Sequence, residues 1–174
     1  MKYLALLIGI ALLLSPALVR AQTNNAIRTA NYFLLSGTTL DNSQTITELA
    51  RYDLLVLPAE SQVYNPNFPN TIRALNPDII LLAYVPSVSW NDIWQDSLHR
   101  QLKSGIQDSF WLRNSSGESV SIWPGTHALD LTSGWRDYLA QFVDTKILNN
   151  NYWDGVFYDE VGDSINWVSG VSIS

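Results

Sequence analysis

Apolar and polar positions along the chain alternate between two periods. Ala30-Asn31-Tyr32-Phe33-Leu34-Leu35-Ser36-Gly37 predicts a first strand. Ser43 to Tyr52 carries apolar residues at helical spacing. Asp53-Leu54-Leu55-Val56-Leu57-Pro58 repeats the strand pattern and ends near Glu60. Phe68 to Leu75 then predicts a short helix stopped before Pro77. Asp78-Ile79-Ile80-Leu81-Leu82-Ala83-Tyr84-Val85 is a continuous apolar run, the pattern of a strand covered on both faces, and points to a parallel sheet. Trp90 to Leu102 predicts an amphipathic helix with Ile93, Trp94, Leu98 and Leu102 near one face, and leaves His99 as an exposed or helix-end histidine.

The rhythm breaks between Ser109 and Gly125. Trp111-Leu112-Arg113 and Val120-Ser121-Ile122-Trp123 flank a polar Asn-Ser-Ser-Gly turn, which predicts a β-hairpin inserted above the sheet. His127 to Thr132 follows as a short strand, Trp135 to Leu148 as a helix, and Gly155 to Asp159 as a last strand. About five strands alternate with helices, the pattern of repeated βαβ units in the α/β class.

That last strand draws attention to chemistry. Tyr152-Trp153-Asp154-Gly155-Val156-Phe157-Tyr158-Asp159-Glu160 runs from an apolar core directly into two adjacent carboxylates. The carboxyl ends of parallel strands are where ligands bind in α/β sheets and where (β/α)8 barrels place catalytic groups. Alternation puts Asp159 on one face with Gly155 and Phe157, and Glu160 on the other with Val156 and Tyr158. Asp159 is the better candidate for the mouth, because Gly155 beneath it suits a crowded interior. A plainer reading has the acids cap a helix that begins near Asp163.

The opening residues change the picture of where the chain works. Met1-Lys2-Tyr3, an apolar run from Leu4 to Leu14, and Ser15-Pro16-Ala17-Leu18-Val19-Arg20-Ala21 have the charge, core and small-residue exit of a signal peptide over residues 1–21. The apolar run is short for a membrane span, so stable insertion after cleavage is not expected. The expected location is secreted or periplasmic. Without Lys2 and Arg20, ten basic residues become eight against 16 acidic ones, a formal charge of −8, which disfavours nucleic acid as a partner. With no cysteine among 174 residues there are no disulfides, thiolate metal sites or cysteine nucleophile. No His and carboxylate spacing indicates a metal, no glycine-rich phosphate loop appears, and no cofactor is expected. Seven Trp and eight Tyr lean toward carbohydrate, whose apolar faces stack on such rings, although core packing is their commoner use.

Trp111-Leu112-Arg113, the Gly117 turn, Trp123-Pro124-Gly125, Asp130-Leu131-Thr132 and Trp153 to Glu160 together resemble, in order, hypothetical glycosyl hydrolase family 15. The Asp154-Gly-Val-Phe-Tyr-Asp159 segment is also similar to a strand of endo-α-1,4-polygalactosaminidase-like barrels. The resemblance implies a (β/α)8 TIM barrel, export, and hydrolysis of a polysaccharide or oligosaccharide. A whole barrel takes about 250 residues and eight strands. Residues 22–174 are therefore expected to be the N-terminal part of a barrel with about five βα units.

Glycoside hydrolysis uses two carboxyl groups. Asp159 is the candidate nucleophile or base, and Glu160 or Asp130 the candidate acid, with Asp130 expected on a strand beside the acidic one. Tyr84, Trp123, His127 and Glu60, near strand ends or on the hairpin, are candidate substrate-binding residues. A different class remains open: a non-catalytic carbohydrate-binding or cell-surface module of the same shape. An esterase is disfavoured by the lack of a Gly-x-Ser-x-Gly elbow.

Overall fold

The computed structural model describes residues 28–35 and 37–162. The expected signal peptide and the expected helix near Asp163 lie outside these residues.

Four strands form a parallel sheet in the order β1 (Ala30–Tyr32), β2 (Leu54–Pro58), β3 (Ile80–Pro86) and β6 (Gly155–Asp159). Between β1 and β2 runs α1 (Ser43–Leu49), whose first turn is closed by Asn42 accepting from the N–H groups of Gln44 and Thr45. Between β2 and β3 run α2 (Ser61–Tyr64) and α3 (Phe68–Leu75). Pro69 sits in the first turn of α3, where its missing N–H leaves no hydrogen bond unmade.

The register explains which face is which. Leu55, Leu57, Leu81, Ala83 and Val85 are buried and join one core with Ile46 and Leu49 of α1 and Phe68 and Ile72 of α3. The opposite face pairs Tyr32 with Val56, Pro58 with Tyr84, and Tyr84 with Phe157. Tyr32, Ile80 and Phe157 on it remain exposed. The apolar run of β3 predicts cover on both faces; among the described residues only the helical face is covered, so burial along β3 alternates.

Between β3 and β6 the chain makes a long excursion. β4 (Ser89–Asn91) pairs antiparallel with β5 (Thr126–Ala128) in a separate two-stranded sheet. The strand carrying His127 is thus not a fifth member of the parallel sheet, and it does not bring Asp130 alongside β6. The expected helix from Trp90 begins later, as α4 (Ser97–Ser104), because Asp96 accepts the N–H groups of Leu98 and His99 and so fixes the start. Ile93, expected on the buried face, is 77% exposed in the turn before it. The predicted hairpin is reduced to one antiparallel bridge, Arg113 with Ser119, turned by Gly117 at φ 78°, while Trp111 bridges Leu129 instead.

α5 (Trp135–Phe142) continues as a π-helical stretch, Val143–Leu148, and buries Leu139, Phe142, Val143 and Ile147 in the core. Entry to β6 is tied by Asp154, which accepts from the N–H of Leu81 (2.8 Å) and from Arg73 of α3 (2.8 Å).

Candidate active site

β6 delivers its acids to the carboxyl edge of the sheet, level with the end of β3 through the pair Pro86 and Asp159. Gly155, two positions below Phe157, faces Leu82 across the pair. A Cβ there would sit 3.1 Å from the Leu82 side chain, so the small residue matches a crowded inner face.

Asp159 lies on that inner face, as alternation predicts. Its Oδ2 accepts from the Tyr84 hydroxyl at 2.8 Å and from the Tyr32 hydroxyl at 3.4 Å, and its Oδ1 accepts from the Glu160 N–H at 2.7 Å. The rings of Tyr32, Tyr84 and Phe157 pack together below it, with centroids 5.4–6.5 Å apart. Burial, and then the hydrogen bond to Asp159, push the Tyr84 phenol well above its ordinary value. Tyr84 therefore stays a donor to the carboxylate throughout the neutral range.

Glu160 turns away with φ 61°, the left-handed region that costs a residue bearing a Cβ. Its two oxygens are held by the Ser89 hydroxyl (2.7 Å) and the Trp123 indole N–H (2.8 Å). Ser89 belongs to β4 and Trp123 to the excursion, so the second acid joins the parallel sheet to the inserted segment. Trp123 keeps half its surface open beside the carboxylates.

The structure thus gathers Asp159, Glu160, Tyr84 and Trp123. Glu60 stands at the end of β2 and shares a cavity wall with Tyr84. Asp130 does not join them: its Oδ1 accepts from the N–H and hydroxyl of Thr132, closing its own turn. His127 bonds Asp92 through Nε2 (2.8 Å), with Ser119 and the edge of Trp111 nearby, on the excursion. The hydrogen bond from His127 holds the Asp92 carboxyl below its ordinary value.

Two participants escape the sequence. Tyr32 reaches Asp159 only because β1, β2, β3 and β6 bring positions 127 residues apart onto one face. His99, expected at the surface, is 7% exposed, stacked on Trp94 and bonded to Asp96. The Asp-x-x-His spacing at a helix start could have flagged that pair. Among the described residues no three His, Asp or Glu side chains gather closely enough to ligate one ion, and no helix is long and apolar enough to cross a membrane.

No curated protein sequence matches the chain. Among solved structures, the chain is similar to the glycoside hydrolase domain of PelA from Pseudomonas aeruginosa, at 16% identity and a TM-score of 0.51, over 76% of this chain and 44% of that one. A variant of the same domain aligns at 16% identity and a TM-score of 0.48, over 75% and 44%. The chain thus spans less than half the length of that domain, and the likeness at 0.51 shows the fold. The profile of hypothetical glycosyl hydrolase family 15 matches residues 73–172, from α3 through the excursion and both acids of β6. With more than half of its length matched in this way, the chain belongs to hypothetical glycosyl hydrolase family 15.

Proposed function

We propose that the chain is the N-terminal part of an exported (β/α)8-barrel glycoside hydrolase that cleaves a polysaccharide, with Asp159 as its nucleophile or base. The observation that carries this reading is the placement of Asp159. It ends a parallel strand on the inner face, and a phenol and a backbone N–H fix both its oxygens. Fixed donors of this kind hold a carboxylate in one orientation, the geometric condition for attack on an anomeric carbon or for taking a proton from water.

The barrel is supported by four neighbouring parallel strands whose inner face leaves Tyr32, Ile80 and Phe157 exposed among the described residues. Further strands would bury that face. Family membership supports hydrolysis of a glycosidic bond. Glu160 is the nearer candidate for the acid, and Asp130, engaged in its own turn, the more distant one. Trp123 offers an exposed ring beside the acids on which a sugar can stack.

A non-catalytic carbohydrate-binding module is the second reading, favoured by the hydrogen bonds that already engage every carboxylate oxygen of both acids. Release of reducing ends from polysaccharide by the full-length polypeptide, with and without Asp159→Asn, decides the matter. Catalysis predicts loss of release in the variant; undiminished release removes Asp159 from the mechanism. Retention of polysaccharide without release by the unaltered protein establishes the binding module. N-terminal sequencing of the exported protein tests cleavage after Ala21.

A further inference from the structure

A cavity of about 130 Å³ opens at the carboxyl edge of the sheet, between the ends of β2 and β3 and the start of α4. Leu34, Pro58, Pro86 and Trp94 give it apolar walls, and Glu60, Tyr84 and His99 are its polar lining. Pro58 and Tyr84 are register partners on the inner face. The hydroxyl of Tyr84 is bonded to Asp159, so the cavity and the proposed catalytic carboxylate share one wall.

The two strongest polar groups of this lining have capacity left over. Glu60 makes one hydrogen bond through its carboxyl among the described residues, to its own backbone N–H, although a carboxylate accepts about four. Burial pushes its pKa up against the pull of that N–H and of nearby His99. His99 bonds Asp96 through Nδ1 at 2.5 Å, and its ring stacks on Trp94 at 4.7 Å. Asp96 is itself anchored by two N–H groups at the start of α4, so the imidazole cannot turn freely. The other ring nitrogen, Nε2, makes no hydrogen bond among the described residues and can donate or accept one.

Ligand pockets combine apolar walls with a few fixed polar groups of this kind. The volume is close to the roughly 150 Å³ that accommodates one benzene ring. We propose that this cavity is a single-ring saccharide subsite beside Asp159, in which the carboxyl of Glu60 and Nε2 of His99 hydrogen-bond ring hydroxyls. The C–H face of the ring lies against the two prolines and the edge of Trp94. The linkage to the next sugar then passes over Tyr84 toward Asp159. This assignment rests on the glycosidase reading for its choice of ligand.

The test is titration of the full-length protein carrying Asp159→Asn, which removes turnover, with the methyl pyranosides of glucose, galactose and their 2-acetamido forms. The readout is the side-chain nitrogen signals of His99 and Trp94. At least one sugar is expected to shift both signals saturably. Glu60→Gln should weaken that binding roughly tenfold, the loss of one hydrogen bond to a charged group. Leu34→Phe, which enlarges one of the apolar walls into the cavity, should abolish it. Unchanged signals with every sugar, or shifts that persist in both variants, overturn the subsite. Hydrolysis by the unaltered protein together with that negative result leaves the catalytic reading standing; saturable binding without hydrolysis overturns catalysis and keeps the subsite.

Discussion

Glu160 allows backbone strain and side-chain bonding to be separated experimentally. It holds φ 61° while its oxygens accept from Ser89 and Trp123. Replacement by Ala retains the left-handed backbone and leaves the hydroxyl of Ser89, which is 5% exposed, without its acceptor. An orphaned buried hydroxyl costs about 1–3 kcal/mol. The indole N–H of Trp123, 53% exposed, can turn to water and adds only a few tenths of a kcal/mol. Replacement by Gly loses the same bonds and relieves about 1–2 kcal/mol of left-handed strain. Against that relief stands about 0.4–1 kcal/mol of extra chain entropy in the unfolded state. The Gly variant should therefore lie about 0.5–1 kcal/mol above the Ala variant, and Glu160→Gln, which keeps an acceptor, closest to the parent. At about 2–4 °C per kcal/mol for a domain of this size, thermal melts resolve the order Gln, Gly, Ala. A Gly variant less stable than the Ala variant would show that no strain is stored at this position.

Other perturbations probe the supports of the site. Asp154→Ala removes the acceptor for the Leu81 N–H and the partner of Arg73. We expect a loss of about 2 kcal/mol in denaturant unfolding, most of it from the backbone group, because the ion pair is partly exposed. Arg73→Ala should cost well under half as much, and equal losses would refute that division. Burial raises the phenol of Tyr152 above its ordinary 10.0, and its hydroxyl has no partner among the described residues. Because the folded value exceeds the unfolded one, its stabilisation is complete below pH 10 and is lost as pH rises further, at up to about 1.4 kcal/mol per pH unit. Tyr152→Phe should flatten the decline in the urea midpoint between pH 9 and 11, and an unchanged slope would refute it. Burial pushes the Asp96 carboxyl up, but its hydrogen bonds from His99 and the α4 backbone outweigh this and hold it below its ordinary value. Its stabilisation is then present above the unfolded carboxylate range and lost as pH falls through the folded one, a loss that Asp96→Asn should remove from the acid arm of the unfolding curve.

How far the fold was legible follows from which residues carried a period. Phe68–Leu75 and Gly155–Asp159 form where their patterns predict, because each is a short apolar unit bounded by a turn residue. Asp159 falls on the inner face for the same reason: a two-residue period leaves a strand end no freedom. Patterning fails across residues 89–96. Trp90, at 3% exposure, is as consistent with a buried strand as with a helix, and the decision rests on the side chain of Asp96 closing the helix start six residues later. The pairing of β5 with β4 was not legible either, since Thr-His-Ala has no sheet of its own and takes the partner that tertiary contacts supply. Of the candidate site residues, Asp130 and His127 were placed by chain order alone, and chain order does not specify which sheet a strand enters.

The segment Ser87-Val88-Ser89, which carries no chemical signature, ties the end of β6 to the excursion. Ser87 donates its N–H and hydroxyl to the Asp159 carbonyl, while its own carbonyl accepts from the buried Trp135 indole at 2.7 Å. The Val88 carbonyl accepts from the N–H of Leu129, and the Ser89 hydroxyl reaches Glu160. Both serines are buried, at 3% and 5% exposure, and an apolar side chain would remove one of two donors to the Asp159 carbonyl at position 87 and to the Glu160 carboxylate at position 89. Through these bonds the end of β6 is positioned by the excursion as well as by its neighbour β3. The geometry of Asp159 and Glu160 consequently depends on the inserted segment docking through Trp135 and Leu129. Two small hydroxyls, that of Ser87 just after β3 and that of Ser89 in β4, thus tie the Asp159 backbone and the Glu160 carboxylate to the excursion.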